Sequence, residues 1–118
     1  LLPQSERLKI SGEFTATYNL RRSVSNSLLI CYAGRNKMSS DMPTKVGFVV
    51  SKKISKKSCD RNRIKRLMRE SYRNLLKSGI SFKWQTIIFL ARQDSLDKNY
   101  KEIQYALEDC LRKAERKF

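Results

Sequence analysis

Apolar and polar positions alternate along this chain with two different periods. From Ser58 to Lys77 the period is helical. At about 100° per residue, Ile64, Leu67, Met68, Ser71, Tyr72 and Leu75 fall on one side, and Asn62, Lys65, Arg66, Arg69 and Arg73 on the other. That helix should end before Gly79, where a C-cap glycine belongs. A second helical stretch begins at Leu96 or Lys98 and runs to Lys117. Its Tyr100, Ile103, Leu107, Cys110, Leu111 and Ala114 share one arc and predict a core-facing stripe. Three segments read as strands: Ser27–Ala33, Lys45–Ser51 with Val46, Phe48 and Val50 on one face, and the mostly apolar Gln85–Ala91, expected inside the sheet. A polar segment before Ser27 can add a shorter strand, and Gly34–Thr44 has loop composition. Near the start, Ser11-Gly12-Glu13-Phe14 reads as a helix start capped by Ser11, with Phe14, Thr17 and Tyr18 on one side. The order of elements predicts one domain over residues 1–118, an α/β (α+β) two-layer sandwich of helices on a small mixed sheet.

Charge changes the picture most. The chain carries 26 Lys+Arg against 11 Asp+Glu, a formal +15 on 118 residues. An excess of that size repels itself in the compact state and normally answers a polyanionic partner. Hydrophobic residues make up 40% of the chain, enough for a packed core. No run approaches the ~18 apolar residues of a membrane span, and no segment resembles a secretory signal. Basic charge spread over several elements favours an extended nucleic acid over a membrane surface. A basic helix face taken alone is as readily a solvated face as a binding face.

The three cysteines, Cys31, Cys59 and Cys110, have neither CxxC nor zinc spacing and read as reduced thiols of a cytoplasmic protein, with Cys31 and Cys110 in the core. Histidine is absent, which removes Cys–His dyads and Ser–His–Asp triads together. The carboxylates are scattered and no Gly-rich phosphate loop is present, so no catalytic residue and no metal site of the protein's own is expected.

Two motifs in order carry a family resemblance. Val46-Gly47-Phe48-Val49-Val50-Ser51-Lys52-Lys53 is followed, after a short spacer, by Arg61-Asn62-Arg63-Ile64-Lys65-Arg66-Leu67-Met68-Arg69-Glu70. With Arg7-Leu8, Phe14 and the later Ile87-Ile88-Phe89-Leu90-Ala91-Arg92, the chain resembles the protein subunit of bacterial ribonuclease P from about Arg7 to Ala114. The resemblance implies an αβββαβα order, a mostly antiparallel sheet and a left-handed crossover where general rules would give a right-handed one. It implies two partners, the catalytic RNA and precursor tRNA. Mg²⁺ would be held mainly by RNA, with no cofactor bound by the protein alone and no protein partner. It assigns Phe14, Tyr18 and Tyr32 to a cleft for the single-stranded leader. It assigns Arg61, Asn62, Arg63, Lys65, Arg66 and Arg69 to RNA contacts, with Lys52, Lys53, Lys56 and Lys57 extending that surface. Aromatic faces can stack on unpaired bases for roughly 1–3 kcal/mol each, although each ring could instead be core. The spacer Ile54-Ser55-Lys56-Lys57-Ser58-Cys59-Asp60, Tyr18 in a position where Phe is common and Arg22 where Gly is common depart from the family pattern. A general RNA-binding or ribosomal-type protein remains the alternative. A protein-only ribonuclease is disfavoured by the missing histidine.

Overall fold

The computed structural model describes residues 12–39, 43–80 and 82–118, with side chains in the first helix from residue 15 onward. Helix α1 (Gly12–Asn19) leads into strands β1 (Ser23–Ser25), β2 (Leu29–Ala33) and β3 (Lys45–Val49). These are followed by helix α2 (Ser58–Lys77), strand β4 (Thr86–Ala91), a 3₁₀ turn (Gln93–Ser95) and helix α3 (Tyr100–Lys117). The order is the αβββαβα expected. The Ser11 cap and the Arg7-Leu8 pair lie outside the described residues.

The sheet order is β1-β2-β4-β3. β1 and β2 pair antiparallel, as do β2 and β4, whereas β3 runs parallel to β4. β4 is therefore interior, as its continuous apolar run predicted, and α2 is the crossover between two parallel neighbours. The strands are a residue or two shorter than their apolar runs, because Ser27, Leu28, Val50 and Gln85 sit beside the ladder rather than in it.

One face of the sheet carries Leu29, Cys31, Ala33, Val46, Val50, Ile87, Phe89 and Ala91 into the core. α2 meets it with Ile64, Met68, Ser71, Tyr72 and Leu75, the predicted stripe, while Leu67 is only partly buried. α3 contributes Ile103, Ala106, Leu107, Cys110, Leu111 and Ala114. Burying an aliphatic side chain of this kind gives about 1.5–3 kcal/mol each. The stripe was predicted with Tyr100 and without Ala106. Tyr100 is instead half-buried and hydrogen-bonds Asn74 across the α2–α3 seam.

The last helix starts later than Leu96 or Lys98. Asn99 caps it: its side chain accepts from the Glu102 N–H at 2.9 Å, while Glu102 accepts from the Asn99 N–H. This capping box sets the first turn at Tyr100. α2 starts at Ser58 and ends at Lys77, and Gly79 takes φ +87°, a conformation that suits glycine. No helix among the described residues is long and apolar enough to cross a membrane.

Candidate nucleic-acid interface

α1 lies on the sheet face opposite α2 and α3. Alternation along β4 turns Thr86, Ile88 and Leu90 to that side, and register places Ile88 beside Tyr32 and Gly47, and Leu90 beside Ile30 and Val49. α1 covers only part of this face. Ile88 is fully buried, but Ile30, Tyr32, Val49 and Leu90 are half-buried, leaving an apolar strip open beside the helix. Side-chain contacts join α1 to the strands through Thr17 and Tyr18. The Thr17 and Thr86 hydroxyls lie 2.6 Å apart in a buried hydrogen bond. The Tyr18 and Tyr32 rings meet edge to face, centroids 4.8 Å apart, a favourable geometry for an aromatic pair.

Tyr18 and Tyr32, both predicted for the leader cleft, are thus brought together at the mouth of this trough. Burial, and then the neighbouring Tyr32, push the Tyr18 phenol above its ordinary range, so it keeps its proton at neutral pH. Phe14 belongs to α1, but its side chain lies outside the described residues. Ile30, Val49 and Leu90 were not singled out from the sequence. Their signal was strand alternation, which places them on the face opposite the core.

The turn out of α1 puts Arg21, not Arg22, in the left-handed region at φ 54°. Arg22 reaches Asn36 Oδ1 at 3.2 Å and lies over the Phe118 ring. The arginine in the place where the family often has glycine is accommodated with no positive φ of its own.

The basic residues of α2 divide into two groups. Arg61 turns back on the connector: its Nη1 donates to the Ser55 carbonyl at 2.8 Å, while Ser55 Oγ lies 3.1 Å from Asp60 Oδ2. Arg63 donates from Nη1 to the Leu96 carbonyl at 3.2 Å and from Nη2 to the Lys98 carbonyl at 2.8 Å. These two arginines tie the connector and the turn before α3 to α2. Asn62 and Arg66 are exposed, and Lys65 and Arg69 half-buried. On the connector Lys52, Lys53, Lys56 and Lys57 are all exposed. Among the described residues, the ion pairs involve Arg73, Lys98 and Lys113 instead. Among the described residues, the connector lysines and Lys65, Arg66 and Arg69 on the outer face of α2 form no ion pair, as a polyanion-binding surface requires.

Among the described residues, no three His, Cys, Asp or Glu side chains gather as a metal site. A concavity of about 990 Å³ lies away from both surfaces, between the ends of α2 and α3. Leu75, Phe82 and Leu111 line it, and its rim mixes Glu108 and Glu115 with Arg112 and Arg116. Charges of both signs do not suit it to a phosphate chain.

Comparison with known proteins adds four findings. A family model described as Ribonuclease P matches residues 2–115. The ribonuclease P protein component of Clostridium novyi is 41% identical over 113 residues, 96% of each chain. The Staphylococcus aureus RNase P protein superposes with a TM-score of 0.78 at 34% identity, over 95% of this chain and 97% of that one. A mutant of the S. aureus protein, described as defective in mRNA degradation activity, superposes with a TM-score of 0.80, again at 34% identity, over 95% of this chain and 90% of that one.

Proposed function

This chain belongs to the ribonuclease P protein family, and from that premise we propose how it serves tRNA processing as the RNA-binding protein component of the enzyme. α2 and the connector bind the catalytic RNA. The trough between α1 and the sheet holds the single-stranded 5′ leader of precursor tRNA. The RNA subunit carries the hydrolysis, with Mg²⁺ held mainly by RNA, and the protein alone does not cleave the leader junction. The reaction takes place in the cytoplasm, where the three free cysteines remain thiols.

The observation that carries this reading is the Tyr18–Tyr32 pair at the edge of a half-open apolar strip. Unpaired bases stack on such rings whatever their sequence, and the precursor differs from the mature tRNA in offering those bases. The unneutralised cations of the connector, Arg66 and Arg69 support the RNA contact, and a chain without histidine supports catalysis by the RNA.

The test is a cleavage assay with protein freed of nucleic acid, a bacterial ribonuclease P RNA, and the mixture. At low Mg²⁺ the mixture should cleave at the leader junction faster than RNA alone, because cations of the protein reduce repulsion between two polyanions. Protein alone should leave the junction intact, and site-specific cleavage by RNA-free protein would sink the proposal. The mRNA degradation activity named for the S. aureus protein gives a reason to add an mRNA substrate to the protein-only arm.

A further inference from the structure

α1 is short. Eight residues are too few to be a stable helix alone, so packing must hold it. Its sequence, Gly12-Glu13-Phe14-Thr15-Ala16-Thr17-Tyr18-Asn19, gives it little amphipathic character. An apolar contact would let such a helix slide or roll over the strip of Ile30, Val49 and Leu90. A buried hydrogen bond tolerates no such motion, because breaking it strands the Thr86 hydroxyl away from water.

Thr17 and Thr86 supply that bond. Their side chains are 2% and 6% exposed, their hydroxyl oxygens 2.6 Å apart. The bond depends on a third residue. Gly34 donates its N–H to the Thr86 carbonyl at 2.8 Å, and a Cβ at Gly34 would stand 1.9 Å from Thr86 Oγ1. Only glycine leaves Thr86 the space to turn its hydroxyl toward α1. The next residue along α1 is Tyr18, whose ring meets Tyr32, two residues before Gly34. The pivot and the aromatic pair are therefore adjacent on α1, and Tyr32 and Gly34 lie two residues apart at the end of β2.

We propose that Thr17, Thr86 and Gly34 form a fixed pivot that sets α1 over the sheet, and thereby position the Tyr18–Tyr32 pair for unpaired 5′ nucleotides. They are positioning residues, acting on the leader through the two rings, and the inference rests on the leader reading given above. Loss of the bond should widen or skew the trough without touching the basic face of α2.

The experiment measures binding of the reconstituted holoenzyme to precursor tRNA with a leader and to mature tRNA. For Thr17→Val and Gly34→Ala, the preference for the precursor should fall roughly ten-fold, the size expected when a buried partner is stranded. Affinity for mature tRNA should not change, and Thr17→Ser, which keeps the hydroxyl, should restore the preference. The double variant Thr17→Val/Thr86→Val leaves no buried hydroxyl unpaired and serves as a folded protein lacking the bond. A second readout needs no RNA: contact between the Tyr18 and Tyr32 rings by NMR, together with the Tyr18 titration, which should move back toward the ordinary phenol range. An unchanged preference and intact ring contact in the folded double variant would overturn the pivot. A wild-type holoenzyme with no preference for the precursor would instead refute the leader reading, and the ring contact would still decide the pivot.

Discussion

Asn26 shows how much one side chain can settle. Its Nδ2 donates to the Ala106 carbonyl at 2.8 Å and to Asp109 Oδ2 at 3.1 Å, and its Oδ1 accepts the Leu28 and Leu29 N–H groups. The turn into β2 and the middle of α3 are joined there, directly beside Cys110, whose sulfur lies 3.3 Å from the same amide. Burial, followed by the charge of Asp109, pushes the Cys110 thiol up to about 12. Burial and then Cys110 push Cys31 well above its ordinary range. Both folded-state values exceed the unfolded ones. The stability these thiols contribute is therefore fully present below the ordinary thiol range, about 8.5, and is lost as pH rises through the folded values. The urea midpoint should fall from about pH 9 toward pH 12. A Cys31→Ala/Cys110→Ala protein, although less stable at neutral pH, should lose less over that interval. Parallel declines would mean other groups govern the alkaline limb. At this scale the sequence was readable where neighbours announced burial, as around both cysteines. The Thr17–Thr86 bond joins residues 69 apart and leaves no periodic trace.

Helices were the most legible elements, since five of the six apolar-side positions named for α2 and five of the six named for α3 are buried. The beginning of α3 was misplaced although its signal was present: Asn99 and Glu102 have the spacing of a capping box. What no helical wheel could show is the split among the arginines of α2, because it depends on carbonyls that a distant turn brings within reach. That split makes a prediction. Arg63→Ala removes two charge-assisted hydrogen bonds to the turn before α3 and should cost about 1–3 kcal/mol in urea unfolding. Arg66→Ala, on an exposed side chain, should stay within about 0.5 kcal/mol yet lower the salt slope of RNA binding by about 0.7–0.9. If Arg63→Ala left stability intact and Arg66→Ala left the slope intact, the division of roles would be wrong.

Over the whole molecule, one variable should act in opposite directions on the free protein and on its complex. The +15 charge repels itself in the folded chain, so added NaCl should raise the thermal midpoint of the protein alone. The same salt should weaken RNA binding, with log K falling linearly against log[salt] by about 0.7–0.9 per neutralised phosphate. Calorimetry and a binding titration over one salt series would check both limbs, and a salt-independent affinity would remove charge as the source of binding. Sheet order was less legible than sheet content. That β3 lies beside β4 and parallel to it follows from how α2 packs, and the strand sequences alone are compatible with several orders.

That order has a consequence for biosynthesis. β4 is the strand that joins β2 to β3, and it also supplies Thr86 to α1, yet it spans residues 86–91 and leaves the ribosome after both partners and α2. Until it emerges, β1 and β2 can form only a two-stranded ribbon, which is marginal in water. The nascent chain must therefore wait, strongly cationic and without its sheet, beside ribosomal RNA that is itself a polyanion. Sheet formation waits on β4, and the chain's long-range strand pairing is completed by that one segment.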